Sequence, residues 1–359
     1  MSILGKTFGA MARLRTVDSS GPGLRRVRRG RGFSYVGLSG NKITDEETLL
    51  RISALSIPPA WQQVWICPFA SGHIQAVGID AAGRKQYLYH AQWRVRRDQE
   101  KFDHMIEFAS CLPAIREVTA EHLSRRGYGR ERVLACAVRL LDKGFFRIGT
   151  EGYAEQNQTF GLATMRRRHV KLEPADLIAF DYRAKSGKRR VSSVVDPSVF
   201  KLVKALMDRD DPGKELLAYK SKSGWVDIKS QDINAYIKQI SGGEYTAKDF
   251  RTWNATLLAA VAVAVSSEVA MTPSARKRAI SRAVGEVAHY LGNTPAVSRS
   301  SYIDPRVFDR YNSGWTIAGV LGDLGDVAEF GEPSVHGRVE EAVMDLLHDE
   351  RSEAIRAAA

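Results

Sequence analysis

The spacing of apolar residues changes near Trp93, and this change divides the chain into two kinds of structure. Before it, apolar positions alternate in residues 74–80 and again in residues 86–90, with a glycine-containing turn between the two runs. Such alternation is typical of half-buried strands and predicts a β-hairpin. After it, apolar residues recur every three or four positions, which predicts helices. The fold class expected is therefore α+β, with a small β-rich N-terminal domain followed by a mainly helical domain.

A second hairpin interrupts the helical part. Apolar residues near 178–182 and 189–195 flank the basic turn KSGK at 185–188, so these residues predict two strands and a connecting tip. Pro305 is expected to end the last helix of this part. The predicted helices that follow the hairpin cover residues 197–208, 231–240, 251–267, 273–291 and 295–304.

The two ends of the chain differ in charge from its centre. Residues 1–32 carry seven arginines against one acid, Asp18, and we expect a disordered basic arm because so little apolar surface is available to bury. The arm could bind phosphate, or it could be a solubilising or cleavable tail. A last helix near 339–357 follows a Gly/acid-rich linker at 321–332, and we interpret it as a partly ordered acidic tail. The predicted divisions are a disordered basic arm at 1–32, a β-rich N-terminal domain at 33–97, a mainly helical domain at 98–320, and an acidic linker and helix at 321–359.

Net charge and cysteine content narrow the function classes. The chain has 53 Lys and Arg against 41 Asp and Glu, and an excess of +12 indicates a polyanionic partner, most simply nucleic acid. The three cysteines are too scattered for a disulfide framework or a zinc site, which predicts a reducing, cytoplasmic location. The longest apolar run, residues 257–265, is too short to span a bilayer, and no secretion signal is recognised, so no membrane association is expected.

Five short segments stand in an informative order. They are RIG at 147–149, FGLAT at 160–164, KSGK at 185–188, KDFRT at 248–252, and GNTP at 292–295 leading to SY at 301–302. Each is unremarkable alone, since Arg147 or Lys185 could be a surface residue. Together they resemble the type IB DNA topoisomerases, specifically the small bacterial and viral members, over roughly residues 33–315. This resemblance implies an enzyme that relaxes supercoiled DNA by cutting and rejoining one strand.

The resemblance implies a catalytic set of Arg147, Lys185, Arg251, Asn293 and Tyr302. Tyr302 corresponds to the nucleophile that forms a 3′-phosphotyrosine link. Arg147 and Arg251 offer planar forks that match the non-bridging phosphate oxygens. Many relatives carry histidine where this chain has Asn293, so the amide keeps a hydrogen-bond donor but cannot supply a titratable proton.

Protonation of the departing 5′ oxygen is assigned by the resemblance to the hairpin tip. Lys185 is preferred because the family lysine closely follows the first strand, but Ala184 stands where glycine is common. Lys188 therefore remains a competing candidate for the general acid.

Several further residues are candidates for DNA contact. Relatives touch DNA near the cleavage site at the positions of Tyr153, Asn157 and Thr164. In the N-terminal hairpin, the two tyrosines Tyr87 and Tyr89 alternate onto one face, which could contact DNA or pack on the core of their own domain. The complete predicted set is Tyr87, Tyr89, Tyr153, Asn157, Thr164, Arg166, Arg167, Arg168 and Lys188, of which the three arginines belong to a stretch without acids.

Two other functions compete with DNA relaxation. A tyrosine site-specific recombinase uses the same covalent chemistry, although its box usually reads HxxR where this chain has Lys248 and Arg251. A non-catalytic DNA-binding relative is the second alternative. The sequence shows neither a Walker loop nor a carboxylate cluster suited to two-metal chemistry, so we expect no metal, nucleotide or other cofactor. The resemblance further implies a monomer that binds double-stranded DNA in the nucleoid.

Overall fold

The computed structural model describes residues 13–267, 272–323 and 337–357, which form two compact units that divide after Phe102. The first unit is an antiparallel sheet with one helix, and the second is mainly helical with a three-stranded sheet. The α+β class predicted from the spacing of apolar residues is confirmed.

The first unit contains one five-stranded sheet in the order β2-β1-β3-β4-β5. The hairpin predicted from alternation is present as β4 and β5, with Val77 opposite Tyr87. The helix α1 was not predicted; it begins after Asp45, whose carboxylate caps it by accepting from the backbone N–H of Thr48 at 2.8 Å. The elements are β1 (Leu24–Arg29), β2 (Gly32–Val36), α1 (Glu46–Ala54), β3 (Gln62–Ile66), β4 (Ile74–Ile79) and β5 (Lys85–Tyr89).

The prediction of a disordered basic arm is wrong for the residues of the arm that the structure describes. Leu24 is buried in the core of this unit, and β1 pairs with both β2 and β3. The guanidinium of Arg26 donates to three backbone carbonyls, including that of Trp61 at 2.7 Å. Its Cζ also lies 4.2 Å from the centroid of the Phe33 ring. Carbonyl partners and the long apolar stem let an arginine-rich segment form a strand. Residues 1–12 lie outside the described residues.

The second unit packs its helices around α7 (Ala247–Val265), most of whose side chains are buried. The second hairpin is confirmed as β7 and β8, with β6 alongside β7. The predicted helices at 197–208, 231–240, 251–267 and 273–291 are confirmed with small shifts at their ends. The elements from the long helix onward are α2 (Ala91–Ser124), α3 (Arg130–Gly144), α4 (Glu151–Asn157), β6 (Val170–Glu173), β7 (Leu177–Arg183), β8 (Arg189–Val195), α5 (Pro197–Met207), β9 (Ala218–Ser221), β10 (Gly224–Asp227), α6 (Ser230–Ser241), α7 (Ala247–Val265), α8 (Pro273–Leu291), α9 (Pro295–Ser301), α10 (Pro305–Asn312), β11 (Trp315–Thr316), α11 (Arg338–His348) and β12 (Arg356–Ala357).

Within the three described ranges, no helix is both long enough and apolar enough to cross a membrane. The apolar run at 257–265 belongs to α7, where most of its side chains are buried among neighbouring helices.

The acidic C-terminal helix is part of the packed unit, so its interpretation as a partly ordered tail is wrong. One face of α11 is buried, and the helix ends at His348 rather than near Ala357. Arg116 of α2 donates to Glu340 of α11 at 2.6 Å and to Asp142 of α3 at 2.9 Å. The indole N–H of Trp253 in α7 also donates to Glu340, at 2.9 Å. The burial of Glu340 was not predicted, because its partner Arg116 lies 224 residues away in the sequence. Much of the predicted linker, from residue 324 onward, lies outside the described residues.

We expect Glu340→Ala to lower the free energy of unfolding by about 3–5 kcal/mol, because it leaves a largely buried arginine and an indole N–H without their shared partner. Denaturation in urea measures this loss. Glu341→Ala is the matched control, since Glu341 is exposed on the same helix and should change the free energy by no more than about 0.5 kcal/mol. Equal losses in the two variants would contradict the role given to Glu340.

Candidate active site

The turn after α3 holds Arg147 in place through two glycines. Gly149 has a φ of +74°, a backbone conformation that glycine adopts readily. The backbone N–H groups of Leu162 and Ala163 donate to the carbonyls of Arg147 at 2.8 Å and Ile148 at 2.7 Å. A Cβ on Gly161 would lie 2.6 Å from the carbonyl oxygen of Arg147, so only glycine allows the two segments to approach this closely. The RIG and FGLAT segments therefore form one structural unit that carries Arg147.

Arg251 lies in the first turns of α7 and is only 4% exposed. Its guanidinium donates to the carbonyl of Leu291 at 3.0 Å and to that of Phe145, both at the ends of helices. Its Nε has no hydrogen-bond partner among the described residues. Burial, together with the positive charge of Arg147, lowers the pKa of Arg251 to about 10. The result is a buried cation held by neutral carbonyls and retaining an unused donor.

Asn293 follows the end of α8, where Gly292 closes the helix with a φ of +63°. Arg147 donates from Nη2 to the side-chain oxygen of Asn293. The amide nitrogen of Asn293 is buried and has no hydrogen-bond partner among the described residues. Its predicted role as a donor to a phosphate oxygen stays a prediction.

Tyr302 lies immediately beyond α9, which ends at Ser301. The prediction that one helix covers 295–304, with Pro305 ending it, is wrong in this detail: Pro305 begins α10, and Asp304 caps that helix. The three residues between the helices are therefore non-helical, because a proline at the first position of a helix favours an extended residue before it.

The ring of Tyr302 lies beside Arg251, with 5.4 Å from the ring centroid to Cζ of the guanidinium. Burial raises the pKa of the phenol, but the charges of Arg251 and Arg147 outweigh burial, and the pKa of Tyr302 lies below its ordinary value. The exposed Lys248 acts in the same direction. The environment thus favours loss of the phenolic proton.

The tip of the β7–β8 hairpin brings two lysines to the same cleft. Lys185 and Lys188 are both exposed, and the backbone of Ser186 between them has a φ of +66°. A cleft of about 250 Å³ is lined by both lysines and by Arg147, Asn293 and Tyr302. All five predicted catalytic residues except Arg251 line this cleft, and Arg251 contacts the ring of Tyr302 from the side. The geometry leaves the choice between the two lysines open.

The predicted DNA-contacting residues of this unit fall into two groups. Tyr153 is 42% exposed and shares a second cleft with Arg147 and Lys185, while the exposed Asn157 lies one turn further along α4 and donates to the carbonyl of Tyr153 at 3.0 Å. Thr164, in contrast, is buried, and its hydroxyl is engaged with the backbone of Gly161. This hydroxyl holds the FGLAT turn together, and the contact of Thr164 with DNA stays a prediction.

The three consecutive arginines do not form one basic face. Arg168 is exposed, whereas Arg166 is half-buried with its guanidinium 4.9 Å from the ring of Phe160. Arg167 donates to four backbone carbonyls, among them that of Asp211 at 2.7 Å. Four of its N–H groups are committed to the fold, and the contact of Arg167 with phosphate stays a prediction.

Within the first unit, Tyr87 and Tyr89 project from the exposed face of β5. Each is 38% exposed, and their rings are stacked with centroids 6.0 Å apart. Leu88 between them points the other way and packs on the hydrophobic core. The alternative that the two tyrosines fill their own core is excluded.

Arg190, which was not predicted as a site residue, joins the hairpin to the end of α8. It donates to the carbonyl of His289 at 2.6 Å and to that of Tyr290. Burial lowers its pKa. A larger cleft of about 620 Å³ runs between these residues and the hairpin tip. Arg190 lies opposite the buried Tyr182 in the hairpin, which places the arginine on the buried side of β8. The alternation of residues along β8 is the sequence pattern that could have identified it.

Among the described residues, no group of three or more His, Cys, Asp or Glu side chains is arranged to hold a metal ion.

Comparisons with known proteins cover most of the chain. Residues 90–316 match the family model of the eukaryotic DNA topoisomerase I catalytic core, and residues 32–80 match the N-terminal domain of bacterial DNA topoisomerase IB. The chain is 30% identical to a DNA topoisomerase 1B of Acanthamoeba polyphaga mimivirus over 299 residues, which is 81% of this chain and 88% of the viral protein. It is 25% identical over 239 residues to the DNA topoisomerase 1B of vaccinia virus, 65% of this chain and 71% of that protein. The match to DNA topoisomerase 1 alpha of Arabidopsis thaliana is 28% over 200 residues and covers 20% of the plant protein.

Gly161→Ala should displace the backbone of Arg147, because the added Cβ overlaps its carbonyl oxygen and the backbone N–H of Gly149. We expect the free energy of unfolding to fall by about 1–3 kcal/mol and plasmid relaxation per folded molecule to fall by about 10²-fold. Urea denaturation and a relaxation assay measure the two effects. Gly152→Ala is the control, since a Cβ there meets nothing within 4 Å. Full activity in Gly161→Ala would show that the position of Arg147 does not depend on this contact.

Proposed function

The chain belongs to the type IB DNA topoisomerases, and we propose that it relaxes supercoiled DNA through a covalent link between Tyr302 and one strand. The observation that supports this best is the cleft that Tyr302 shares with Arg147, Asn293 and the two lysines of the hairpin tip. The neighbouring arginines also hold the pKa of the Tyr302 phenol below its ordinary value. Such a set fits attack on a phosphodiester, which needs a deprotonated nucleophile and donors for the phosphate oxygens.

In the proposed cleavage step, the phenolic oxygen of Tyr302 attacks phosphorus and its proton passes to water. The bond from phosphorus to the 5′ oxygen breaks, leaving a 3′-phosphotyrosine and a free 5′-hydroxyl. The reverse attack by that hydroxyl rejoins the strand and releases Tyr302. Because the phosphotyrosyl bond roughly conserves the energy of a phosphodiester, neither ATP nor a redox cofactor is needed.

Stabilisation of the transition state is assigned to Arg147, Arg251 and Asn293. Negative charge grows on the non-bridging oxygens as the nucleophile approaches. The unused Nε of Arg251 and the free amide N–H groups of Asn293 are the donors that support this assignment. Positive charge supplied by guanidinium groups takes the place of a metal, and the proposal includes no divalent ion.

Protonation of the leaving 5′ oxygen is assigned to the hairpin tip, with Lys185 preferred. Lys185 lines both the cleft that contains Tyr302 and the cleft that contains Tyr153, whereas Lys188 lines the first of these. Tyr153 and Asn157 are proposed to contact DNA near the cut. Arg166, Arg168 and Lys188 are further proposed DNA contacts of the second unit, and Tyr87 and Tyr89 are proposed DNA contacts of the first unit. Contacts to phosphate should make DNA binding weaken as the salt concentration rises. For each phosphate that the protein neutralises, a tenfold rise in salt concentration should lower log K by about 0.9.

Tyr302→Phe tests the proposed reaction. It removes the attacking oxygen and keeps the ring, so relaxation of supercoiled plasmid in a chelating buffer should fall by at least about 10³-fold and no covalent adduct should form. Tyr311→Phe is the control, because the buried hydroxyl of Tyr311 has no partner and its loss should leave relaxation unchanged.

Three results would contradict the proposal. Unchanged relaxation by Tyr302→Phe would show that Tyr302 is not the nucleophile. A strict Mg²⁺ requirement of the unaltered protein would contradict the metal-free mechanism. Strand exchange between two sites without relaxation would favour the recombinase alternative.

The general acid is tested by a substrate in which sulfur replaces the bridging 5′ oxygen. A thiol has a pKa of about 8.5 and leaves without a proton. Lys185→Ala should cut the normal strand about 10²–10⁴-fold more slowly, and sulfur should restore the rate. Lys188→Ala is the matched control and should show a smaller loss that sulfur does not restore. Restoration of Lys188→Ala alone would assign the acid to Lys188.

A further inference from the structure

The buried hydroxyl of Thr256 lies between the helix that carries Arg251 and the backbone of Tyr302. We propose that Thr256 is a positioning residue that holds the main chain of the nucleophile and thereby sets the rate of DNA cleavage. This inference rests on the proposed role of Tyr302.

Two hydrogen bonds join Thr256 to the segment between α9 and α10. Its hydroxyl donates to the carbonyl oxygen of Tyr302 at 3.3 Å and accepts from the backbone N–H of Asp304 at 3.1 Å. The hydroxyl oxygen also lies 3.4 Å from the sulfur of Met105. Thioether sulfur is a weak acceptor, so the single hydroxyl proton is better placed on the carbonyl. One buried side chain thus satisfies a backbone acceptor and a backbone donor on either side of Ile303.

The segment needs such an anchor because no helix continues through it. Tyr302 has φ −130° and ψ −26°, so it has left the helical conformation of α9. The N–H groups of Tyr302 and Ile303 both turn back to the carbonyl of Ser298, at 3.1 Å each. The carbonyl of Tyr302 lies beyond this turn and is taken by Thr256. Ile303 and Asp304 are fully buried, so an unpaired backbone group here would be costly.

Asp304, at the C-terminal end of the segment, is fixed by an ion pair with Arg306. Arg306 donates to the carboxylate of Asp304 at 2.8 Å and forms an ion pair with Asp103 at 3.0 Å. Asp304 also caps α10 by accepting from the N–H of Arg306. These contacts fix Asp304, and Thr256 connects that fixed point to the carbonyl of the nucleophile.

Helix α7 carries both Arg251, the proposed phosphate-binding residue, and Thr256, which contacts the backbone of the nucleophile. Arg251 and Thr256 are both buried side chains of α7, five residues apart. Arg251 contacts the ring of Tyr302, and Thr256 contacts its backbone. Movement of Tyr302 relative to α7 would change the distance from the phenolic oxygen to the phosphate that Arg251 binds. A displacement of about 1 Å can lower a rate by about 10²-fold.

The test removes the hydroxyl at constant shape. Thr256→Val keeps the branched side chain, and Thr256→Ala and Thr256→Ser differ from each other only in the hydroxyl. We expect the single-turnover rate constant for covalent adduct formation to fall about 10–100-fold in the valine and alanine variants and to stay within about 3-fold in the serine variant. Affinity for uncleaved DNA, measured with each change in the Tyr302→Phe background, should stay within about 2-fold.

The rate constant separates positioning from a loss of folded protein. A variant that only unfolds more readily gives a smaller burst of adduct with an unchanged rate constant. Thr119→Val controls for the loss of a buried hydroxyl, because Thr119 bonds only within its own helix, to the carbonyl of Arg116 at 3.0 Å. Its rate constant should match that of the unaltered protein.

Wild-type rate constants in Thr256→Val and Thr256→Ala would overturn the inference, and so would an equal defect in Thr256→Ser. These results differ from failure of the proposed function, which would appear as an adduct that persists in Tyr302→Phe.

Discussion

The candidate active site depends on burying a positive charge without neutralising it. Arg251 is almost completely buried, yet it donates to two backbone carbonyls and to the phenol of Tyr302, and none of these partners is a carboxylate. A carboxylate partner would have cancelled the charge, and burial without any partner would have been prohibitive. Carbonyl oxygens stabilise the guanidinium while leaving its net charge available to an anion. This arrangement accounts for the lowered pKa of both Arg251 and Tyr302.

The ends of two helices supply these carbonyls. Phe145 closes α3 and Leu291 ends α8, so the partial negative charge at each C-terminus faces the buried cation. Arg190 uses the carbonyls of His289 and Tyr290 at the same end of α8. Gly292 then turns the chain so that Asn293 meets Arg147. The C-terminus of α8 therefore contacts Arg251 and Arg190 and is followed by Asn293, and the turn at 147–149 carries Arg147.

Much of this was predictable from local patterns. Period-two and period-3.6 spacing identified both hairpins and most helices, and the order of five short segments identified the family. Interactions over long sequence distances were not visible. Glu340 looked solvated because Arg116 and Trp253 lie far away in the sequence, and Arg26 looked disordered because its carbonyl partners come from a distant turn. The sequence also does not reveal that backbone groups occupy donors of Arg167 and Thr164, two residues predicted to contact DNA. Thr256 has no signal of its own, since a threonine in an apolar helix is ordinary.

The central claim is that Tyr302 becomes bonded to the 3′ end of a cut strand. Mass spectrometry of the protease-digested covalent complex, formed on a duplex with labelled ends, tests it most directly. The account predicts a single modified peptide that contains Tyr302, joined to a 3′-phosphate, with a free 5′-hydroxyl on the other fragment. An adduct on another residue, or a link to a 5′-phosphate, would contradict it.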